Sequence, residues 1–267
     1  MPELPEAETI VKQLQKHVVG KCIITAKVLE TTRADKGIEK LIPVKILRAW
    51  RRAKAIILEL ERKQYLLVRL GMTGHFHYAS KGESPGKDEK FAVVKFLFQD
   101  GSILSFTDIR KFGSLRLLTE IQLKQKLDEF GPEPLGKDFS LNLFTEILGR
   151  KKKARIKVTL MDQNFIAGIG NIYAQEALYH AGITPLRVIG TFTKEEIKRL
   201  YLAIRKVLQQ AIAHNGTTVE NYVHIEGSGG FQRYLAVYQK VKCPRGHTLQ
   251  RKEIGGRGTS YCTICQK

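Results

Sequence analysis

The chain has 267 residues, of which 43% are hydrophobic, and its 45 Lys and Arg outnumber its 26 Asp and Glu. This composition excludes an intrinsically disordered chain, and the formal net charge of +19 predicts a polyanionic partner, best matched by nucleic acid. The sequence shows no apolar run of about 18 residues and no secretory signal, so we expect no membrane partner and a cytoplasmic or nucleoid location.

Helical periodicity marks the first predicted element, a helix over residues 6–18. Its predicted apolar face consists of Ile10, Val11, Leu14 and Val18. From residue 22 to residue 118 the pattern changes to short apolar segments joined by turns. Two of them, residues 91–98 and 103–106, flank Asp100-Gly101, which is a strong signal for a β-hairpin. Several such strands indicate a β-sandwich.

A segment rich in Pro and Gly, residues 130–136, is the best candidate for a domain boundary, because the pattern switches to helices after it. A long helix is predicted from residue 194 to the neighbourhood of residue 214, with a capping box formed by Thr193 and Glu196. Three shorter helices are predicted at residues 141–148, 155–162 and 172–180. The fold class is therefore α+β.

The carboxyl end carries two pairs of ligand residues, Cys243 with His247 and Cys262 with Cys265, separated by fourteen residues. Four soft or borderline ligands without a carboxylate predict a structural zinc site. The alternative is a degenerate finger with three leftover cysteines and a surface histidine. A zinc hairpin would hold Arg257 at a tip flanked by glycines, where it can approach a phosphate; read alone, Arg257 is a solvated turn residue.

The amino-terminal residues read Pro2-Glu3-Leu4-Pro5-Glu6. A small second residue normally allows removal of Met1, which leaves a proline with a free secondary amine. An α-amino group has a pKa of about 8, so near neutral pH it is substantially unprotonated and can attack an electrophilic carbon. Glu3 and Glu6 then supply acid or base groups. The alternative from these residues alone is that Pro and Glu simply begin a helix.

Two further motifs indicate contacts with DNA. A turn containing Gly168 and Gly170 leads into a predicted helix, whose amino-terminal N–H groups and dipole form a phosphate site that the Asn171 amide would complete. Met72 lies on a turn between glycines, where an apolar side chain can enter a base stack and fill the space of a flipped nucleotide. Read alone, Met72 is a core methionine.

The terminal motif, the zinc tail and the boundary segment together resemble bacterial formamidopyrimidine-DNA glycosylase over essentially the whole chain. Endonuclease VIII is less similar, because it usually has Gly where Leu4 stands. The resemblance implies a β-sandwich catalytic domain with flanking helices over residues 1–131, a helix-two-turns-helix DNA-binding domain over residues 138–240, and a zinc hairpin over residues 241–267. It also implies one structural Zn²⁺ per chain, a monomer, and damaged double-stranded DNA as the partner.

The activity implied by this resemblance is that of a bifunctional DNA glycosylase and AP lyase that removes oxidised purines such as 8-oxoguanine and formamidopyrimidines. Pro2 would attack the sugar and Glu3 would protonate its ring oxygen, while Glu6 supports them. Lys54, which is otherwise a solvated lysine at a strand end, would assist. The implied DNA-binding residues are Met72, Arg110, Lys111, Phe112, Lys157, Asn171 and Arg257. The implied damaged-base pocket includes Glu176, Thr217 and Thr218.

Two regions depart from the family pattern, and the second of them, residues 219–230, leaves the lesion preference open. Ile109 stands where the family usually has Pro, and Lys111 stands where it usually has Arg. Val219-Glu220-Asn221 replaces a sequence of the Leu-Arg-Asp type, and the glycine-rich loop 227–230 lacks an obvious lysine. The basic run 151–157 can also be a solvated face. Two alternative functions remain: a glycosylase that prefers oxidised pyrimidines, and a DNA-binding protein that has lost catalysis.

Overall fold

The structure is a computed structural model that describes residues 2–84, 86–218 and 225–267. Antiparallel strands form its first part. A helix, α1 (Leu4–His17), precedes them. The strands are β1 (Cys22–Val28), β2 (Val44–Arg52), β3 (Ala55–Leu60), β4 (Gln64–Arg69), β5 (Gly74–Ala79), β6 (Ala92–Phe98), β7 (Ile103–Asp108) and β8 (Ser114–Thr119). The predicted first helix and the change to strands at residue 22 are both present.

The strands pair in the order β5-β7-β6-β1-β2-β3-β4-β8. β1 and β2 pair only at Cys22↔Lys45 and Ile23↔Val44, whereas the other neighbouring strands pair at five or six positions. This short link divides the strands into two four-stranded halves, and residues from both halves contribute to one apolar core. The predicted β-sandwich and the α+β fold class are confirmed.

The predicted hairpin is formed by β6 and β7, with Leu97 paired to Ile103. Gly101 at its turn has φ +83°, a left-handed conformation that glycine adopts at no steric cost. Asp100 Oδ1 accepts a hydrogen bond from Ser102 N at 3.0 Å, which fixes the turn. The Asp-Gly pair thus has the role that its position between two apolar segments predicts.

Helix α1 packs its apolar face into the sandwich core. All four residues predicted for that face are buried: Ile10, Val11, Leu14 and Val18. Burial of one such side chain contributes roughly 1.5–3 kcal/mol, so this face holds the helix firmly. Because α1 begins two residues after Pro2, its packing determines where the amino terminus lies.

The second part of the chain is mainly helical. A helix that was not predicted, α2 (Glu120–Asp128), follows β8; only Leu123 within it is buried, so no apolar stripe marks it in the sequence. The four predicted helices are α3 (Leu141–Gly149), α4 (Ile156–Met161), α5 (Asn171–Ala181) and α6 (Lys194–Ala213). The predicted capping box of α6 is present, since Thr193 and Glu196 exchange hydrogen bonds of 3.2 and 2.8 Å. A hairpin of β9 (Gln250–Glu253) and β10 (Gly258–Tyr261) completes the elements.

The chain forms two compact units. Unit 1 consists of Met1–Asp128 and Asn215–Gly230, and unit 2 consists of Glu129–His214 and Phe231–Lys267. This division differs from the expected domain over residues 138–240, because residues 215–218 and 225–230 group with unit 1. The reason is that Thr217 N and Ile225 N donate hydrogen bonds to side chains of α1. Within the described ranges, no helix is long and apolar enough to cross a bilayer.

Candidate active site and nucleic-acid interface

Glu6 fixes the amino terminus at the start of α1. Pro2 and Glu3 are buried, and Glu6 is only 1% exposed. Glu6 Oε2 accepts a hydrogen bond from Glu3 N at 2.8 Å, and Glu6 Oε1 accepts one from Thr217 N at 2.7 Å. Both carboxylate oxygens are thus committed to backbone N–H groups. This geometry places Glu6 to hold the terminus in position, and its role as an acid or base group stays a prediction.

Gly216 allows the backbone to approach Glu6. Its φ is +73°, and a Cβ there would lie 2.7 Å from Glu6 Oε1. Gly229 N donates to Thr218 Oγ1 at 2.7 Å, and a Cβ on Gly229 would lie 2.5 Å from Gly216 O. Residues 216–218 and 229 therefore pack backbone against backbone, and Thr217 and Thr218 lie in this packed region. The divergent residues 219–221 lie outside the described residues.

Lys54 stands on the two-residue turn between β2 and β3, where Arg52 pairs with Ala55. Ala53, the other residue of this turn, has φ +56°, a left-handed conformation that costs energy for a residue with a Cβ. Arg51 Nε donates to Glu8 Oε2 of α1 at 2.6 Å, which ties the end of β2 to that helix. The lysine is half-buried, so it is more enclosed than a solvated strand-end lysine.

The turn that carries Met72 lies against the loop that carries Arg110 and Phe112. A Cβ on Gly71 would lie 2.6 Å from Gly113 N and 2.8 Å from the Phe112 carbonyl carbon, so the two backbones touch. Phe112 is 55% exposed, Met72 is half-buried, and the Arg110 guanidinium lies 5.0 Å from the centre of the Phe112 ring. An apolar and a cationic side chain are thus presented together on one surface, as entry into a base stack requires.

Asp108, which the sequence analysis did not single out, ties these two loops together. Its side chain is fully buried at the end of β7. Asp108 Oδ1 accepts hydrogen bonds from Thr73 Oγ1 at 2.5 Å and from Arg110 N at 3.2 Å. Asp108 Oδ2 accepts one from Gly113 N at 2.5 Å. The sequence signal was an aspartate at the end of a strand, directly before the loop of interest.

Replacing Asp108 with Asn should loosen both loops, because the amide has a donor where a second acceptor is needed. We expect Asp108→Asn to lower the single-turnover rate of lesion removal from duplex DNA by about tenfold, which corresponds to roughly 1.4 kcal/mol. The matched control is Asp100→Asn at the other end of the β6–β7 hairpin, which should leave that rate unchanged. Equal rates for Asp108→Asn and the unaltered chain would contradict the assignment.

Lys111 is also on this loop, with φ +52°. Its Nζ contacts Glu30 Oε2 at 2.5 Å, while 55% of its side chain remains exposed. The hydrogen bond from Lys111 lowers the pKa of the Glu30 carboxyl. Exposed ion pairs contribute about 0–1 kcal/mol, so a DNA phosphate can replace Glu30 as the partner of this lysine at little cost.

A tight turn leads into α5 as the sequence predicts. Gly168 has φ +91°, and its N–H donates to Gln163 Oε1 at 2.9 Å. Gln163 Nε2 donates to the carbonyls of Met161 and Ile169 at 2.8 Å each, so this glutamine organises the whole turn. Helix α5 begins directly after this turn, with Gly170 at its N-cap position in an extended conformation.

Asn171, at the start of α5, donates from Nδ2 to Gly258 O at 3.2 Å. Gln175, one turn later, accepts a hydrogen bond from Ser260 N at 2.7 Å. Both side chains therefore attach the start of α5 to β10. This attachment places the Arg257 hairpin beside the helix start where the sequence predicts a phosphate site.

Lys157 is in a position that differs from the one expected. It was expected to contact a DNA phosphate, yet its side chain is fully buried within unit 2. Its Nζ donates to Ile254 O at 3.3 Å, directly before the hairpin tip. A direct phosphate contact requires an exposed amine, so in this structure Lys157 supports the hairpin that carries Arg257. The sequence does not indicate this burial, because Lys157 lies in the basic run 151–157, whose other lysines are exposed.

Glu176 likewise differs from its expected place in the damaged-base pocket. It is fully buried, and its carboxylate accepts hydrogen bonds from three consecutive backbone N–H groups, those of Ala236, Val237 and Tyr238, at 2.7, 3.0 and 2.8 Å. Burial raises the pKa of Glu176, and the three donated hydrogen bonds oppose that shift. The carboxylate therefore anchors the segment after Phe231 to α5.

The four predicted metal ligands, Cys243, His247, Cys262 and Cys265, form one cluster, with ligand atoms within 4.8 Å of one another. His247 Nδ1 lies 3.6, 3.7 and 3.3 Å from the three Sγ atoms, and two of those Sγ atoms are 4.0 Å apart. A tetrahedral zinc site with Zn–S of about 2.3 Å requires separations of about 3.5–3.8 Å. The residues fit Zn²⁺, and four protein ligands leave no open position, which is typical of a structural site.

The metal cluster supports the hairpin that presents Arg257. Gly255 and Gly256 have φ +62° and +69°, and Ile254 N donates to Arg257 O at 3.0 Å, so the chain reverses within four residues. Arg257 is exposed at the tip. This is the geometry that the two glycines predict, with a cation placed where a phosphate can reach it.

Comparisons with known proteins agree over the full chain. Residues 1–115 match the model of the formamidopyrimidine-DNA glycosylase N-terminal domain, and residues 130–223 match that of the formamidopyrimidine-DNA glycosylase H2TH domain. The formamidopyrimidine-DNA glycosylases of Pelotomaculum thermopropionicum and Desulfitobacterium hafniense are 38% and 40% identical, with 100% of this chain and 99% and 100% of those proteins covered.

Solved structures give the same result. A Lactococcus lactis FPG mutant in complex with Fapy-dG containing DNA has a TM-score of 0.92 at 33% identity, with 100% of both chains covered. The complex of Lactococcus lactis Fpg with an abasic site containing DNA has a TM-score of 0.92 at 32% identity, with 99% of both chains covered. Sequence identity and shared fold both extend over the whole length, and the chain belongs to the formamidopyrimidine-DNA glycosylase family.

Proposed function

We propose that this chain is a bifunctional DNA glycosylase and AP lyase of base excision repair, which removes oxidised purines from duplex DNA and then cuts the strand. The single observation that carries the proposal is the fixed amino terminus, in which Glu6 accepts hydrogen bonds from Glu3 N, directly after Pro2, and from Thr217 N. The activity for which the relatives are named, and the Fapy-dG and abasic-site DNA in the solved complexes, support the substrate class.

Catalysis begins with the secondary amine of Pro2 after removal of Met1. The Pro2 nitrogen attacks C1′ of the damaged nucleotide and loses its proton, while the glycosidic bond breaks and the base leaves with the bonding electrons and takes up a proton. Glu3 protonates the ring oxygen, so the sugar opens to an iminium on Pro2, with Lys54 assisting. The iminium is an electron sink. Loss of a C2′ proton therefore expels the 3′ phosphate, and a second elimination expels the 5′ phosphate.

DNA binding draws on both units in this proposal. In unit 1, Met72, Arg110 and Phe112 enter the stack, and Lys111 exchanges Glu30 for a phosphate. In unit 2, Asn171 and Arg257 contact phosphates. Lys157 supports the hairpin, and Zn²⁺, when bound, holds that hairpin in shape.

We assign catalysis to residues 1–131, DNA binding to residues 138–240 without the segment 215–230, and the zinc hairpin to residues 241–267. The chain acts as a monomer in the cytoplasm.

Borohydride trapping tests the reaction. A duplex with 8-oxoguanine opposite cytosine is incubated with the protein and borohydride, and the adduct is digested and mapped. We expect a covalent adduct on Pro2. An adduct on Lys54 would refute the assigned nucleophile. An adduct formed only with an oxidised pyrimidine would favour the pyrimidine-specific alternative, and tight binding without any adduct, even at an abasic site, would favour a DNA-binding protein without catalysis.

A further inference from the structure

One face of α1 holds the segment that follows Gly216 at two separate places. Glu6 and Gln13 are seven residues apart, so they lie almost in line along the helix, and His17 follows one turn later. Glu6 accepts a hydrogen bond from Thr217 N near the start of the segment. Gln13 and His17 contact residues 225 and 226 at the other described part of it.

Gln13 makes the most directional of these contacts. Its Oε1 accepts a hydrogen bond from Ile225 N at 3.0 Å, and its Nε2 donates one to Glu226 O at 2.8 Å. A side-chain amide that pairs with both a backbone N–H and a neighbouring C=O fixes the position and the direction of that backbone. The side chain of Ile225 also packs against the sandwich core, so this part of the segment has one defined location.

Charged groups reinforce the same attachment. Lys16 Nζ lies 2.8 Å from Glu226 Oε1, and His17 Nε2 contacts the same oxygen. The side chains of Lys16 and Glu226 are 66% and 43% exposed, and exposed ion pairs contribute little. Gln13 differs from Lys16 and His17 because it binds the backbone of residues 225 and 226, with one acceptor and one donor.

The location of this segment matters for the base that is removed. Under the proposed function, the base leaves from the carbon that Pro2 attacks, so its pocket must begin next to the amino terminus. Residues 216–218 are held at that terminus through Glu6, and residues 225 and 226 are held by the same helix at Gln13. The helix thus fixes the distance between the nucleophile and both described parts of the segment.

We propose that Gln13 is a specificity-determining positioning residue, which selects among damaged bases by fixing residues 225 and 226 on the helix that also carries Pro2. Gln13 touches neither substrate nor nucleophile; it acts through the backbone of the segment. This inference rests on the proposed function. It separates two steps: removal of a base depends on Gln13, whereas cleavage at a site that has already lost its base does not.

The test compares two variants of the full chain. Gln13→Leu keeps the side-chain volume and removes both hydrogen bonds. Gln15→Leu is the matched control: Gln15 lies on the same helix, and its Nε2 donates to Ala49 O at 2.8 Å, away from the segment. Single-turnover rates are measured on duplexes with 8-oxoguanine, with a formamidopyrimidine, and with a preformed abasic site.

We expect Gln13→Leu to lower removal of at least one damaged base by about tenfold, the effect of roughly 1.4 kcal/mol, and to change the ratio between the two lesions. Abasic-site cleavage should stay within about twofold, a difference of roughly 0.4 kcal/mol. Gln15→Leu should change neither. Unchanged base removal by Gln13→Leu, or an equal loss on all three substrates, would overturn the proposal. If the proposed function itself is wrong, the unaltered chain cleaves none of the three duplexes, and this inference is then wrong as well.

Discussion

A chain that retains Met1 should lose almost all strand cleavage. Pro2→Gln places a bulky second residue after Met1, so the initiator stays and the nitrogen of residue 2 becomes an amide without nucleophilic character. The new terminal amine belongs to Met1, one residue before Pro2 in the chain, with its Cα about 3.8 Å away. Because Glu6 fixes the position of Glu3, the terminus cannot slide back to compensate. We expect the single-turnover rate to fall by at least about a thousandfold.

The measurement has an internal control in DNA binding. The residues assigned to the base stack and the phosphates are far along the chain from the terminus, so the affinity of Pro2→Gln for lesion-containing duplex should stay within about threefold, or roughly 0.7 kcal/mol. Mass spectrometry establishes whether Met1 is present. Cleavage at the normal rate by a chain with Met1 retained would eliminate the nitrogen of residue 2 as the nucleophile.

Of these substitutions, the replacement of Glu176 should lower the free energy of unfolding the most. Glu176→Gln removes one acceptor oxygen and turns an amide donor toward backbone N–H groups that are themselves donors. Buried donors without an acceptor cost about 1–3 kcal/mol each, so we expect a loss of about 3 kcal/mol in the free energy of unfolding. Urea denaturation measures it.

The control for Glu176 is Glu146→Gln, which breaks an exposed ion pair with Arg150 at 2.5 Å in the same unit. That variant should lose less than about 0.5 kcal/mol. The two explanations of Glu176 also predict different activities. If the residue anchors residues 236–238, the ratio of rates on different lesions stays constant at a temperature where the variant is folded. A changed ratio of rates on different lesions, without a loss of stability, would instead assign Glu176 to the damaged-base pocket.

The parts of the fold that the sequence predicts are those with a local pattern. The apolar face of α1, the Asp-Gly turn and the capping box of α6 each depend on residues within a few positions of one another. The zinc ligands follow from spacing, because two close pairs can meet only if the chain between them forms a hairpin. Local chemistry of this kind can be read before any fold is known.

The parts that were missed depend on contacts between distant residues. Glu176 meets a segment 60 residues away, Lys157 meets one 97 residues away, and Glu6 meets one 211 residues away. A glutamate in a helix or a lysine in a basic run looks solvent-exposed by its neighbours in sequence, and only tertiary packing removes it from water. Asp108 was missed for a related reason, because its partners lie on two loops whose approach is set by Gly71 and Gly113.

The composition of unit 1 from two separate stretches of chain has a consequence for biosynthesis. Residues 1–128 emerge from the ribosome early. Thr217 and Ile225, whose N–H groups donate hydrogen bonds to Glu6 and Gln13, emerge only after all of the long helix α6. Until then, the buried Glu6 carboxylate lacks one of its backbone donors. We therefore expect the amino terminus to be completed late in translation, and a nascent or truncated chain that stops before residue 215 to lack the contacts that fix it fully.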